Sequence, residues 1–265
     1  MNFNQLLDAV RANPDSVSIP PSWAQGRAAF GGLMAAMVYE TMRLRLCDSR
    51  PVRSLAISFV APAAADVPIR FEVEVLREGK AVSTLLGRAV QDGQVVTLVQ
   101  GNFGAGRPSV VEVPALPAIE MPALEEAAPE LPYIKGVTPE FMRHVALRWA
   151  VGGLPFSGNQ SRKMGGWVRL RGVADEPVNE AHLLALVDAW PPSLMPFLKQ
   201  PAAGSTLTWT IEFIQPTAKL STLDWCRYCV ETEHARDGYG HAAAALWTAQ
   251  GELLALSRQT VTVFA

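Results

Sequence analysis

Two short segments place residues capable of chemistry next to apolar runs with helical spacing. In "FGGLMAAMVYET", residues 30–41, Gly31 and Gly32 directly precede such a run. Backbone N–H groups at a helix start have no intrahelical acceptor and lie at the positive end of the helix dipole. They can therefore stabilise a developing oxyanion, and glycine lets a substrate approach closely. The alternative is that the two glycines only allow the helix to pack tightly against a sheet.

The second segment, "AHLLALVDAW" at residues 181–190, contains a carboxylate in an apolar sequence. Flanked by Leu184, Val187 and Trp190, Asp188 must accept hydrogen bonds or change its protonation state. Such a group could act as a general base. It could equally be a buried aspartate that binds neighbouring backbone.

Composition excludes several function classes. The 265 residues are 49% hydrophobic and 18% charged, with a formal net charge of -2, and no Lys/Arg run indicates nucleic-acid binding. The N-terminus has no basic leader, and no apolar run reaches the roughly 18 residues that a membrane span needs. We expect a cytoplasmic protein that binds neither nucleic acid nor membrane.

The cysteines and histidines do not indicate a metal site. Cys226 and Cys229 form a C-x-x-C pair, but "LDWCRYCVETE" reads as a strand, in which residues three apart point to opposite faces. No second pair accompanies them, and the four histidines have no ligand spacing. We expect ordinary buried cysteines, no metal and no cofactor.

The chain has two halves with one plan. Residues 106–135 contain six prolines and five glutamates and predict a linker between domains at 1–105 and 136–265. Each half has one long apolar helix followed by several strand-like runs. Phe59-Val60-Ala61-Pro62 aligns with Phe213-Ile214-Gln215-Pro216 at an offset of 154 residues, which indicates a duplication. The pattern predicts an α+β fold in which an antiparallel sheet curls around each helix, and exposed sheet edges predict a homodimer.

At this point the chain resembles a known family. "RAAFGGLMAAMVYETMR", "FVAPAAADVPIRFEVEVLREGK", "LVDAWPPS" and "LLALSRQ" are similar, in order and spacing, to the thioesterase II type of acyl-CoA thioesterase. The resemblance covers almost the whole chain apart from the linker. It implies a double hotdog fold, two tandem hotdog domains, and hydrolysis of acyl-CoA.

The resemblance also implies roles for individual residues. Single-hotdog relatives have a His-Gly-Gly turn that binds the thioester oxygen, and Phe30 replaces that histidine before Gly31 and Gly32. The helix carboxylate of those relatives falls on Tyr39 in the first half and on Asp188 in the second, so each half would supply one part of a single site.

Two further positions follow from the family rather than from the local sequence. Thr206 and Gln259 match its catalytic threonine and glutamine, which would fix a water molecule together with the carboxylate. Thr208 is the reserve choice for the threonine, because alternating residues share one face of a strand.

Two other functions stay open. The protein could bind acyl-CoA without hydrolysing it, or it could be a hotdog hydratase or dehydratase. The latter enzymes usually pair a histidine with a carboxylate, and Phe30 argues against them. Arg143, Arg148 and Arg162 are candidates for the coenzyme A phosphates, although nothing in the sequence distinguishes them from surface arginines.

Overall fold

The computed structural model describes all residues from 1 to 265 and consists of three α-helices and twelve strands. The helices are α1 (Phe3–Ala12), α2 (Gly31–Arg43) and α3 (Glu180–Asp188). The strands are β1 (Ala24–Gln25), β2 (Ala28–Ala29), β3 (Val52–Phe59), β4 (Arg70–Glu78), β5 (Val82–Gln91), β6 (Gln94–Gly104), β7 (Val145–Val151), β8 (Lys163–Leu170), β9 (Ala203–Phe213), β10 (Cys226–Arg236), β11 (Tyr239–Thr248) and β12 (Leu253–Phe264).

Ten of the strands form one antiparallel sheet in the order β4-β5-β6-β3-β9-β12-β11-β10-β8-β7. The order β3-β6-β5-β4 in the first half repeats as β9-β12-β11-β10 in the second. The halves meet where β3 pairs with β9, centred on Ala56 opposite Thr210. These two residues are themselves 154 positions apart, so the junction has the self-complementary pairing of a two-fold dimer within one chain. The predicted duplication and α+β architecture agree with this sheet.

The sheet encloses α2 and α3, which are buried almost all round and pack against each other. Asn179 caps α3, accepting hydrogen bonds from the N–H groups of Ala181 and His182, as predicted for this position. The helix ends at Asp188, two residues earlier than its apolar pattern suggests. A proline disfavours helical backbone at the residue before it. Pro191 therefore keeps Trp190 out of the helix. Asp188 thus lies at the carboxyl end of α3.

A short amphipathic helix, α1, closes one end of the core. Phe3, Leu6, Leu7 and Val10 are its buried face, as their spacing predicted. None of the three helices combines the length and apolar character needed to cross a bilayer.

The two outer edges of the sheet are partly covered. Residues 128–131 run along β7, where the Ala128 N–H donates to the Trp149 carbonyl at 3.0 Å. At the other edge the Phe71 N–H of β4 donates to the Pro14 carbonyl at 2.8 Å. The rest of β4 is mostly exposed and rich in charged residues, a composition that discourages pairing between edges. The free edge on which the homodimer prediction is based is therefore short, and the homodimer stays a prediction.

The two cysteines of the C-x-x-C pair lie on β10, buried and without a disulfide. Burial raises the pKa of Cys226 to about 12 and that of Cys229 to about 11. Both thiols are therefore protonated at neutral pH, which makes them poor nucleophiles and poor metal ligands.

Candidate active site

A cleft of about 300 Å³ opens where the two halves of the sheet diverge. The ladder between β3 and β9 stops at Ser58 opposite Thr208. Beyond that point residues 203–207 of β9 pair only with β12, and the chain after β3 turns away through residues 60–63. The cleft reaches the ends of the two central helices, and its walls include Gly31, Met34, Phe59, Ala61, Asp188, Trp190, Thr206 and Gln259.

Asp188 is the only ionisable side chain in the wall of this cleft. Its Oδ1 accepts a hydrogen bond from Gln259 Nε2 at 3.0 Å. Burial raises the pKa of the carboxyl to about 7, although hydrogen bonds from Gln259 and from the Gly32 backbone N–H lower it. The site therefore holds a carboxylate that can take up and release a proton near neutral pH.

The two glycines are needed because α2 begins directly against this carboxylate. A Cβ atom on Gly31 would lie 2.9 Å from Asp188 Oδ2 and 3.0 Å from Phe59 Cζ. A Cβ atom on Gly32 would lie 2.7 Å from Phe30 Cζ and 3.0 Å from Asp188 Cβ. The first amide groups of α2 consequently face the carboxyl end of α3, with no side chain between them. The structure thus brings the glycine turn of one half and the carboxylate of the other into one cleft.

Thr206 lines the cleft, whereas Thr208 does not. A bulge at Leu207 interrupts the register with β12, since Thr260 pairs with Thr208 but Val261 pairs with Thr206. The bulge reverses the alternation of side chains, so that Thr206 faces inward with Gln259 while Thr208 is exposed. The expectation that the two threonines share a face is therefore wrong. Thr206 remains the candidate, and Thr208 has no place in the site.

Phe30 also lies outside the cleft wall. It is fully buried at the start of α2, and its ring stacks on Phe141 at a centroid distance of 4.2 Å. The position is thus part of the core rather than a substrate contact. No histidine lines the cleft.

The three candidate phosphate ligands are engaged elsewhere. Arg143 pairs with Glu140 at 2.9 Å, and Arg148 and Arg162 donate to backbone carbonyl groups. None of the three lines the cleft.

The internal two-fold relates the cleft to an equivalent position on the other side of the sheet junction. Side chains fill that position, so no cleft opens there. Tyr39, which corresponds to Asp188, donates from its hydroxyl to Glu180 Oε2 at 3.0 Å. Gln215 donates from Nε2 to Glu180 Oε1 at 2.8 Å. Burial is the main cause of the raised pKa of Tyr39, and the charge of Glu180 adds to it. This contact between the halves occupies the place that the cleft has on the other side.

Two features of the cleft were missed in the sequence. The hairpin formed by β1 and β2 borders it through Gln25, Ala28 and Ala29. Gly26, which adopts a φ of 64°, could have indicated a turn there. The bulge that orients Thr206 has a counterpart at Arg53 in β3, again 154 residues earlier, but no residue type in either strand indicates it.

Two family models together match most of this chain. Residues 19–104 match the family model of the acyl-CoA thioesterase N-terminal domain, and residues 124–263 match that of the C-terminal domain. Acyl-CoA thioesterase 2 of Haemophilus influenzae is 23% identical over 250 residues, which cover 88% of this chain and 86% of that protein.

Solved structures establish the fold. A hot dog fold protein from Alicyclobacillus acidocaldarius has a TM-score of 0.82 at 23% identity, over 94% of this chain and 92% of that one. Acyl-CoA thioesterase II from Mycobacterium marinum has a TM-score of 0.67 at 18% identity, with the same coverage. The predicted double hotdog fold is confirmed, and the chain belongs to the acyl-CoA thioesterase family.

Proposed function

We propose that this protein hydrolyses acyl-CoA thioesters in the cleft between its two halves, with Asp188 as the general base. The observation that carries the proposal is a carboxylate with a pKa of about 7 in a cleft, hydrogen-bonded to Gln259 and facing the start of α2. A base with a pKa near the working pH is partly ionised and still basic enough to accept a proton.

In the proposed reaction Asp188 accepts a proton from water, and the hydroxide oxygen attacks the thioester carbon. Gln259 holds the carboxylate in place, while the Thr206 hydroxyl on the opposite wall orients the water. The tetrahedral intermediate then collapses, the carbon–sulfur bond breaks, and the proton passes to the departing thiolate. The products are a carboxylic acid and coenzyme A, and every proton transfer uses this one carboxyl group.

The oxyanion is assigned to the backbone of Gly31. The Gly32 N–H is directed at Asp188, whereas the Gly31 N–H has no backbone or side-chain acceptor within the chain. It lies at the positive end of α2, where a developing negative charge is most stabilised. The two glycines thus divide the work: one amide holds the base, and the other receives the substrate oxygen.

Recognition of coenzyme A is assigned to Arg27. This residue forms the tip of the hairpin that borders the cleft, between the wall residues Gln25 and Ala28. Its side chain is exposed and takes part in no ion pair. A guanidinium group at this place is suited to a phosphate of a substrate whose thioester end lies in the cleft.

The alternatives predict different results. A hotdog hydratase needs a histidine beside the carboxylate, and no histidine lines this cleft. A non-catalytic binding protein would retain acyl-CoA without releasing thiol. The test is release of free thiol from a panel of acyl-CoAs by the wild-type protein and by Asp188→Asn. Turnover that is lost in the variant supports the proposal, whereas binding without turnover by the wild-type protein refutes it.

A further inference from the structure

Behind the catalytic carboxylate, one residue of the cleft wall belongs to an aromatic cluster. Trp190 lines the cleft two residues after Asp188, just beyond the end of α3. Its ring stacks on Tyr228 of β10 with centroids 5.2 Å apart and an interplanar angle of 7°. On its other side Trp149 of β7 lies at 5.0 Å and is tilted by 57°.

The spacing of the strands places the Trp190 ring between its two aromatic neighbours. Gly166 of β8 pairs with Trp149 on one neighbouring strand and with Tyr228 on the other. The two aromatic side chains are therefore two strands apart, about 10 Å at the usual strand spacing. The two centroid distances of Trp190 together match this separation, so its indole lies between the two side chains.

Two polar atoms in this aromatic cluster have no acceptor within the chain. Trp149 and Trp190 are 6% and 5% exposed, and the Nε1 atoms of both are buried without a hydrogen-bond partner. Buried donors are nearly always paired in folded proteins, so each unpaired donor needs an explanation. For Trp190, which lines the cleft, a ligand oxygen supplies one.

We propose that the Trp190 N–H binds an oxygen on the acyl group, and that the protein therefore prefers acyl chains with a hydroxyl or keto oxygen near the thioester to plain alkyl chains. This inference rests on the proposed function and adds a substrate class to it. Trp190 lies beside the base, so the oxygen it binds belongs to the part of the acyl group next to the reacting carbon.

The test compares butyryl-CoA with its hydroxy and keto derivatives, which have the same carbon chain. For the wild-type protein we expect a higher kcat/KM on the oxygenated substrates. Trp190→Phe retains an aromatic ring but removes the N–H. It should lower kcat/KM about tenfold more on the oxygenated substrates than on butyryl-CoA, the effect of losing one good hydrogen bond.

Trp247→Phe is the matched control. Trp247 on β11 is also 6% exposed, and its Nε1 is also buried without a partner, but it does not line the cleft. Its replacement should leave the substrate ratio at the wild-type value. Thermal melting of both variants shows whether each is folded, and if Trp190→Phe does not fold, the wild-type ratio alone decides.

The outcomes separate the two proposals. Equal kcat/KM for butyryl-CoA and its oxygenated derivatives in the wild-type protein overturns the inference but not hydrolysis. The same is true of an unchanged ratio in folded Trp190→Phe, or of an equal change in Trp247→Phe. Failure to release thiol from any acyl-CoA overturns the proposed function itself.

Discussion

Replacing Asp188 with asparagine should abolish hydrolysis and, at neutral pH, make the protein more stable. The pKa of this carboxyl rises from 3.8 to about 7, mainly because it is buried. At about 1.4 kcal/mol per pH unit, the difference corresponds to about 4 kcal/mol by which ionisation of Asp188 destabilises the folded state. Asparagine has nearly the same shape, can still accept the Gln259 hydrogen bond and has no charge to bury.

The sign of the effect follows from proton binding. Between pH ~4 and ~7 the folded protein holds a proton on Asp188 that the unfolded chain has lost, so wild-type stability falls as the pH rises. Asp188→Asn lacks this dependence. The stability difference should therefore be small below pH ~4 and reach about 2 to 4 kcal/mol above pH ~7, the lower figure allowing for cleft water around the carboxylate.

Denaturant unfolding at a series of pH values measures this difference, and the acyl-CoA assay measures the activity. Asp92→Asn is the control, because Asp92 is exposed in a turn with a φ of 51°, a conformation that asparagine tolerates. The control should track the wild-type protein in both measurements. A variant at position 188 that is less stable than the wild type at pH 8, or a difference that does not change with pH, would refute the argument that burial tunes this carboxyl. In the wild-type protein, kcat/KM should rise with pH through about 7 as the base ionises.

Three other substitutions test the remaining parts of the site. Gly31→Ala places a Cβ atom 2.9 Å from the Asp188 carboxylate and should lower kcat/KM by at least ~10²-fold. Gly106→Ala, where the added Cβ atom has nothing within 4 Å, should have no effect. Equal rates for the two variants would exclude close approach of the substrate at Gly31. Arg27→Ala should raise KM about tenfold for an acyl-CoA but not for the N-acetylcysteamine thioester of the same acid, which has no phosphate groups. An equal effect on both substrates would show that Arg27 does not recognise coenzyme A. Ala61→Gln should place a longer side chain in the cleft wall and reduce turnover by ~10²-fold, while Gln215→Ala, at the related position, should retain wild-type turnover. An active Ala61→Gln would contradict substrate binding in this cleft.

The sequence indicated those parts of the candidate site that depend on local pattern. Asp188 was recognisable because a carboxylate within an apolar helix is unusual, and Gly31 because it precedes a helix start. Thr206 could not be separated from Thr208, since the bulge at Leu207 is set by pairing with a strand about fifty residues away in the chain. The packing of Trp190 against Trp149 and Tyr228 was missed for the same reason, because the three residues come from separate elements.

The fold was predictable to a similar extent. Two similar runs of helix and strands indicated the duplication, and apolar periodicity located most elements. The cover over the sheet edges was not foreseen, because it comes from residues of no regular pattern, such as 14 and 128–131. An extended segment that pairs with a single strand has no periodicity of its own. Whether a sheet edge is exposed is therefore the feature that such a sequence predicts least well.

The two related positions explain why one chain contains one site. In a dimer of identical subunits the two-fold axis makes both clefts the same, so a substitution that closes one cleft also closes the other. Once the two halves are covalently joined, each position can change independently. The corresponding pairs are Gly31 and Glu180, Asp188 and Tyr39, and Ala61 and Gln215.

At all three pairs the open cleft has the small or ionisable residue, and the closed position has a larger side chain. Tyr39 donates to Glu180 across the halves, and Gln215 donates to Glu180 within the second half. Burial of Asp188 as a carboxylate destabilises the fold. The Tyr39–Glu180–Gln215 contact joins α2 to α3 and the second half's sheet on the opposite side. One half of the duplicated interface can thus hold the structure together, which allows the other half to keep an open cleft and a buried charge.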